Sequence, residues 1–272
     1  MPFTAKVIST AEWGARPPLH LFALRTPKYV IIHHTDDQNP PNNPSRSTRD
    51  GAIKLAQRIQ KDHFSRGWSD SGHNFLNTTG GFVLEGRTGT LSAVNQGLCL
   101  QSAHAAQDPG LLANGNDSPG IENEGNFMNF AMGSVQWASL VDLCASLCDA
   151  CSISPNNIRG HREFSSTLCP GDWLFGQLPR LRQDVATKLG IALTAAQAFD
   201  KPTAADSFKL GDVGPMVLVL QRLLLGKGHS AGALDGIFGE NTKAAIVAFQ
   251  KASGIKPANG VVDPKTRKAL GL

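Results

Sequence analysis

The sequence predicts a layered α/β domain followed by a small all-α domain. Strand-like and helix-like segments alternate through the first 190 residues, an Ala- and Thr-rich stretch follows, and a turn-and-helix pattern then occurs twice. At 272 residues and 41% hydrophobic content, the chain can bury one domain of about 150 to 200 residues and a smaller second one. We therefore expect a first domain over residues 1–190, a linker over 191–206 and a second domain over 207–272.

The first clear strand is the β-branched and aromatic run from Tyr29 to Thr35, which contains His33 and His34. Side chains alternate across a strand, so the two histidines face opposite ways and only one can turn into a given site. The earlier segment from Thr10 to Pro18 is rich in Gly and Pro, which predicts no regular element. Trp13 is expected to pack that segment onto the domain.

An amphipathic helix is predicted from Ser47 to Phe64, with Ser47 or Thr48 as its N-cap. The Gly80-Gly81 turn lies between two apolar runs and predicts a hairpin. A short strand is predicted from Ser118 to Phe127. Its Glu122 and Glu124 are two apart and should share a face, where they would repel each other unless a cation is near.

A helix from Val135 to Cys151 carries Cys144, Cys148 and Cys151 on its apolar stripe. These thiols could form a metal cluster, but free cysteines are commonly buried, so we interpret them as core side chains. The total of five cysteines is odd, which argues against a disulfide framework. A last helix, Leu178 to Leu189, closes the domain.

The segment from Ile191 to Asp206 has eight Ala and Thr residues and little large apolar content, which is typical of a linker. Beyond it, Gly236 to Ile246 recurs 24 residues later as Gly260 to Leu270. Each copy predicts a turn followed by a helix, the second capped by Asp263-Pro264, and an earlier apolar stripe predicts a third helix.

The net charge of +4 is unevenly placed along the chain. From Ser207 onward there are nine Lys and Arg against four Asp and Glu, a net charge of +5, which leaves −1 for the first 206 residues. This asymmetry indicates that the second domain meets an anionic surface.

No stretch of about 18 apolar residues is present, and the first twelve residues lack a basic segment followed by an apolar one. We expect a monomer that neither inserts into a membrane nor binds nucleic acid. We also expect cytoplasmic synthesis without a signal peptide, and action elsewhere only after release or non-classical export.

The loop from Arg159 to Asp172 contains the strongest chemical signal, because His161 precedes Cys169 by eight residues between Gly and Pro. One imidazole and one thiolate are half of a zinc site, which takes N and S ligands and needs a third protein ligand. His33, at the end of the first strand, would complete the set. Such a site leaves a position for a water whose pKa falls to about 7.

Hydrolysis at such a site also needs a base for the proton of the water and a donor for the developing oxyanion. Glu122 is the better placed base, because a strand holds it rigidly among apolar and Gly neighbours. His73, His104 and Thr167 are candidate donors, although each taken singly is more typical of a structural residue.

Three residues are candidates for binding substrate, namely His34, His104 and Asn126. A serine hydrolase is disfavoured, because no Gly-x-Ser-x-Gly nucleophile elbow is present.

Seven segments in order resemble the type-2 N-acetylmuramoyl-L-alanine amidases, a superfamily that also includes peptidoglycan recognition proteins and phage lysins. They are Glu12 to Pro18, Ile31 to Thr35, Ser71 to Leu76, Glu85 to Arg87, Ala103 to Ala105, Gly120 to Phe127, and Gly160 to Arg162 with Cys169 to Gly171. The C-terminal region resembles a three-helix peptidoglycan-binding domain through Gly211 to Gly214, Leu220-Gln221, Asp235 to Gly239 and Phe249-Gln250.

The resemblance implies a mixed central sheet flanked by helices and an endolysin-like zinc hydrolase that degrades cell-wall peptidoglycan. Such enzymes cleave the amide between N-acetylmuramic acid and the L-alanine of the stem peptide. It implies one zinc ion held by His33, His161 and Cys169, and it selects His33 over His34. Glu122 matches a glutamate given the base role in one branch.

The chain departs from the family pattern at two positions. The branch with a Cys ligand usually has a catalytic Tyr where His73 stands, and Thr167 stands where many amidases have Lys. The division of work between Glu122 and His73 is therefore open. The alternative is a recognition protein that binds muropeptides without cleaving them.

Overall fold

The computed structural model describes residues 3–193, 207–212, 215–232 and 238–271. The chain divides into two compact units with a boundary at residue 200, and each is described by itself. Most of the predicted linker (194–206) and the start of the first repeat copy (233–237) lie outside the described residues.

A five-stranded mixed sheet forms the centre of the first unit, as the α/β prediction requires. In spatial order its strands are β4 (Val83–Glu85), β3 (Phe75–Asn77), β6 (Gly120–Asn123), β2 (Val30–His34) and β7 (Ile158–Gly160). The predicted hairpin is the antiparallel β3–β4 pair, whereas β3, β6, β2 and β7 pair in parallel. A separate two-stranded sheet joins β1 (Leu24–Arg25) to β5 (Cys99–Leu100).

Helices cover both faces of the sheet. The helix α2 (Arg49–Ser65) packs Leu55 and Ala56 against Leu76 and Leu84 on one face. The other face packs against α4 (Ser134–Ala150) and α6 (Leu178–Lys188). Three further helices in the described part of this unit are short: α1 (Thr10–Trp13), α3 (Thr90–Val94) and α5 (Asp172–Gly176).

The structure supports the core interpretation of the cysteines on α4. Cys144 and Cys148 are buried in the same cluster as Leu140, and Cys151 follows at the end of the helix. Among the described residues, no group of side chains close enough to hold a metal includes them. The described part of the chain also has no helix that is long and apolar enough to cross a membrane.

Two local predictions were wrong. The segment before Pro17 does contain a helical turn, α1, because Ser9 and Glu12 form a capping box and Gly14 ends the turn at a φ of +72°. The strand predicted from Ser118 to Phe127 is also shorter than expected, because β6 runs only from Gly120 to Asn123 and Glu124 lies just beyond its end.

The Glu124 carboxylate instead holds two loops. It accepts hydrogen bonds from the backbone N–H groups of Ser45 at 2.7 Å and Thr79 at 2.8 Å. The Ser45 hydroxyl adds a third bond at 2.6 Å. These hydrogen-bond donors stabilise the Glu124 carboxylate in place of the cation that was expected to offset its repulsion by Glu122.

The described residues of the second unit form three helices, α7 (Pro215–Gly226), α8 (Glu240–Ala252) and α9 (Pro264–Leu270). Asp263 caps α9 as predicted, because its carboxylate accepts from the Thr266 N–H at 2.8 Å. The repeat is also visible in hydrogen bonding. Buried amides of Gln221 and Gln250 each donate to a threonine hydroxyl at 3.0 Å, and those threonines, Thr242 and Thr266, are 24 positions apart.

Candidate metal centre and active site

The site lies where the carboxyl ends of the parallel strands meet. His33 in β2 pairs across the ladder with Glu122 in β6, which puts both side chains on one face of the sheet. His161 follows directly after β7 in a short 3-10 turn. Three chain segments that are far apart in sequence therefore deliver these side chains to one edge.

His33, His161 and Cys169 form a group of possible metal ligands whose donor atoms all lie within 4.8 Å of one another. Sγ of Cys169 lies 3.6 Å from Nδ1 of His33. Tetrahedral zinc with Zn–N of about 2.0 to 2.1 Å and Zn–S of about 2.3 Å separates such ligand atoms by about 3.5 to 3.6 Å. The observed separation and the donor set both fit zinc.

A second group, His33 with His73 and Glu122, also meets the distance criterion. In this group His73 Nε2 and a carboxylate oxygen of Glu122 contact each other directly. Two of the three possible metal ligands in this group are thus already bonded to each other. The first group instead combines two imidazoles with a thiol, which are the N and S ligands that zinc takes. The first group is the better metal site.

The ligands are buried, and burial sets their protonation. Burial, with neighbouring imidazoles, holds the pKa of His33 well below its usual value and lowers that of His161 to about 4. Both rings are therefore neutral at pH 7 and can offer a lone pair. Burial and the charge of Glu122 raise the pKa of Cys169, so a cation is needed to favour its thiolate, the form that binds metal.

Glu122 and His73 form a buried acid–imidazole pair beside the ligands. A carboxylate can only accept, so His73 Nε2–H donates to it. Burial alone would raise the pKa of Glu122, but His73, His34 and His161 together hold it below its usual value. Nδ1 of His73 is buried and has no hydrogen-bond partner among the described residues.

Arg162 fixes the loop that carries Cys169. Its guanidinium is fully buried, donates to Asp172 at 2.8 Å and to the Leu168 carbonyl, and lies over the Phe175 ring. Its backbone N–H donates to the Cys169 carbonyl at 3.1 Å. The sequence does not reveal this role, because the Gly-His-Arg motif contains Arg162 but gives no sign that its charged side chain is buried.

An open cleft of about 370 Å³ lies over the site. The strand ends form one wall, and α2 with the segment after it supplies the other through Arg58, Asp62, Arg66 and Trp68. Arg58 is held by Asp37 at 2.5 Å. The sequence predicted α2 as an amphipathic helix, but its pattern could not show that the polar face borders this cleft.

Thr167 and His34 both line the cleft. The Thr167 hydroxyl oxygen accepts from the Cys169 N–H at 3.2 Å, which leaves its proton to be donated elsewhere. His34 accepts from the Phe127 N–H at 3.1 Å through Nδ1, and its backbone N–H donates to Sγ of Cys169 at 3.4 Å.

Two predicted substrate-binding residues have other partners. His104 lines the cleft, but its ring nitrogens contact His33 at 2.9 Å and the Ser118 carbonyl at 3.0 Å, which leaves neither for a substrate. Asn126 joins loops, because its amide donates to Asp36 at 2.5 Å. It is not among the residues described as lining the cleft.

Comparison with known proteins identifies the family to which the first unit belongs. The family profile described as N-acetylmuramoyl-L-alanine amidase matches residues 23–172, which is more than half of the chain and spans the whole ligand set. The chain belongs to this amidase family. A second profile, described as a putative peptidoglycan binding domain, matches residues 213–270.

Relatives of this amidase-family chain include both enzymes and recognition proteins. A probable N-acetylmuramoyl-L-alanine amidase of Bacillus licheniformis is 35% identical over 138 residues, covering 47% of this chain and 38% of the relative. Peptidoglycan-recognition protein SC2 of Drosophila melanogaster is 33% identical over 179 residues, covering 63% and 84%. The chain thus spans well under half of the bacterial relative's length.

Among solved structures, Drosophila PGRP-LB matches with a TM-score of 0.52 and 28% identity, covering 64% of this chain and 93% of that one. A mutant of that protein in complex with tracheal cytotoxin matches with a TM-score of 0.51, covering 63% and 92%. The predicted amidase and recognition-protein fold is therefore confirmed for the first unit.

Proposed function

We propose that this protein is a zinc-dependent amidase that cleaves the bond between the lactyl group of N-acetylmuramic acid and the L-alanine of the peptidoglycan stem. One observation carries the proposal: a two-His, one-Cys ligand set adjoins a buried carboxylate at the same strand edge. Family membership supplies the substrate class, and the ligand set supports catalysis.

The residues have distinct roles in this proposal. His33, His161 and Cys169 would hold one zinc ion, which when bound polarises the scissile carbonyl and lowers the pKa of a coordinated water. Glu122 accepts the proton of the attacking water and passes it to the leaving amine. His73 orients the Glu122 carboxylate, and Thr167 donates its hydroxyl proton to the oxygen that gains charge.

The alternative is a recognition protein that binds muropeptides without cleaving them, as the names of several relatives indicate. Two observations favour the enzyme. All three ligand atoms converge, and a buried ionised carboxylate lies next to them. Binding alone does not require either feature.

The second unit is proposed to hold the enzyme on its substrate at the cell wall. Support comes from the match to a peptidoglycan-binding family and from the net charge of +5 after residue 206. Joining a binding domain to a catalyst raises the effective concentration of the catalyst at the surface.

Digestion of purified peptidoglycan tests the proposed reaction. New L-alanine amino termini without new reducing sugars are expected, and they should disappear on chelation and return with zinc. A protein that binds zinc and peptidoglycan but releases no amine would instead be a recognition protein. Release of reducing sugars alone would show that the protein cleaves a different bond.

A further inference from the structure

His104 stands behind His33, on the opposite side of that ring from Cys169. We propose that His104 is a positioning residue, which fixes His33 in the tautomer with its proton on Nε2 and so presents a bare Nδ1 to the metal. The inference rests on the proposed metal site. It does not require that the protein cleave peptidoglycan.

The Ser118 carbonyl can only accept a hydrogen bond. It lies 3.0 Å from Nε2 of His104, so Nε2 carries a proton. His104 is 6% exposed and lies next to the rings of His33 and His73, where a second proton would bury a cation among imidazoles. His104 is therefore neutral, and its Nδ1 is an acceptor.

The next bond follows from the first. Nε2 of His33 lies 2.9 Å from Nδ1 of His104, so Nε2 of His33 must be the donor. The other nitrogen, Nδ1, is then bare, and it is the atom that lies 3.6 Å from Sγ of Cys169. The carbonyl of Ser118 thus determines, through two imidazoles, which atom of His33 binds metal.

The strand next to β2 holds the His104 ring in place. A Cβ at Gly120 would lie 2.5 Å from Nε2 and Cδ2 of His104, closer than real side chains approach. Gly120 pairs with Ile31, two residues before His33. Only glycine lets the ring pack against this backbone, so Gly120 and His104 act together.

Without His104, the buried Nε2–H of His33 would lose the acceptor that now holds it. The ring could then turn, or the proton could move to Nδ1, and either change removes the ligand lone pair from its place. Partners of this kind typically account for 10- to 100-fold in metal affinity.

The tautomers can be observed directly in the metal-free, full-length protein. Long-range ¹H–¹⁵N correlation spectra with ¹⁵N-labelled histidine distinguish a protonated ring nitrogen from a bare one. We expect a protonated Nε2 and a bare Nδ1 on both His33 and His104. A bare Nε2 on His33, or a protonated Nδ1 on His104, would overturn the proposal without any variant having to fold.

Zinc affinity provides the second measurement. His104→Phe should weaken zinc binding about 10- to 100-fold, whereas His104→Asn should retain most of it because the amide oxygen can replace Nδ1 as acceptor. His63→Phe is the matched control: His63 is also buried in this cleft but is not hydrogen-bonded to a ligand, so its loss should leave zinc affinity unchanged. Equal zinc affinity in His104→Phe and the wild type would refute the positioning role.

Gly120→Ala tests the contact between the His104 ring and the backbone of β6. It should weaken zinc binding in the wild type but have little further effect in a His104→Ala background, where the ring it displaces is gone. Equal effects in both backgrounds would contradict the proposal. If zinc binding depends on His104 and Gly120 in this way but no amide is cleaved, only the proposed function would be contradicted and the positioning role of His104 would stand.

Discussion

Nδ1 of His33 and Sγ of Cys169 lie 3.6 Å apart although 136 positions separate them in the chain. This is the spacing of two ligands on one tetrahedral zinc ion. Contacts within the folded chain hold both residues: His104 lies behind one, and the Arg162 loop contacts surround the other.

Removing the thiol should remove stoichiometric zinc. Cys169→Ala leaves two imidazoles, so we expect the zinc content to fall from about one per chain to near zero after gel filtration. Cys169→Asp should retain weaker binding, because carboxylate oxygen is also a zinc ligand. Metal analysis of the purified variants measures this, with Cys151→Ala as a control outside the ligand group. A Cys169→Ala protein that keeps one tightly bound zinc would contradict the assignment.

Glu122→Gln should separate catalysis from metal binding. A neutral amide cannot accept the proton, so kcat for amide cleavage should fall about 100- to 10,000-fold while zinc content stays at the wild-type level. Glu12→Gln is the control, because Glu12 is not among the residues described as lining the cleft. Loss of zinc in Glu122→Gln would instead favour the ligand group of His33, His73 and Glu122.

Arg162→Ala should destabilise the first unit by about 1 to 3 kcal/mol, because it removes a buried donor to two loop carbonyls and to the partly exposed Asp172. Zinc affinity should fall with it. All four tryptophans precede residue 174, so tryptophan fluorescence during urea unfolding reports on this unit. The control is Lys54→Ala, which breaks an exposed pair and should cost less than about 0.5 kcal/mol. A cost below about 1 kcal/mol for Arg162→Ala would refute its role in fixing the loop that carries Cys169.

The metal-free protein should lose stability as the pH falls from about 6.5 to 4. Burial lowers the pKa of His63 and His161 to about 4, so the unfolded chain takes up protons before the folded one does. Their stabilisation is complete above pH 6.5 and lost near pH 4, up to about 3 kcal/mol for each. The free energy of unfolding between pH 4 and 7 measures it. His63→Gln should reduce the slope by about one proton, and an unchanged slope would be inconsistent with this origin.

A chain ending at residue 193 should keep its activity on soluble muropeptides and lose activity on intact cell walls. The hydrophobic core of the first unit contains residues of that unit alone, so its active site should survive the truncation. Co-sedimentation with purified walls at several salt concentrations measures the binding of both forms. Equal wall binding by the two chains would contradict a role for the second unit.

Local sequence patterns were sufficient to predict most helices and strands of the first unit. The predicted bounds were within one or two residues for the strand from Tyr29 to Thr35, the hairpin at Gly80-Gly81 and the helix α4. These elements depend on periodicity and turn chemistry, which involve near neighbours in the chain. The same reasoning failed at Thr10–Trp13, where a single capping box outweighs the Gly and Pro that follow it.

The sequence by itself determined the kinds of residue at the site: a histidine at a strand end, a His and a Cys in one loop, and a carboxylate on another strand. Tertiary structure decided how they meet. The order β6–β2–β7 puts His33 beside Glu122 and near His161, directs Glu124 into a separate loop network, and turns His104 inward to Ser118. These outcomes depend on strand register and on packing between segments far apart in the chain, which no local pattern records.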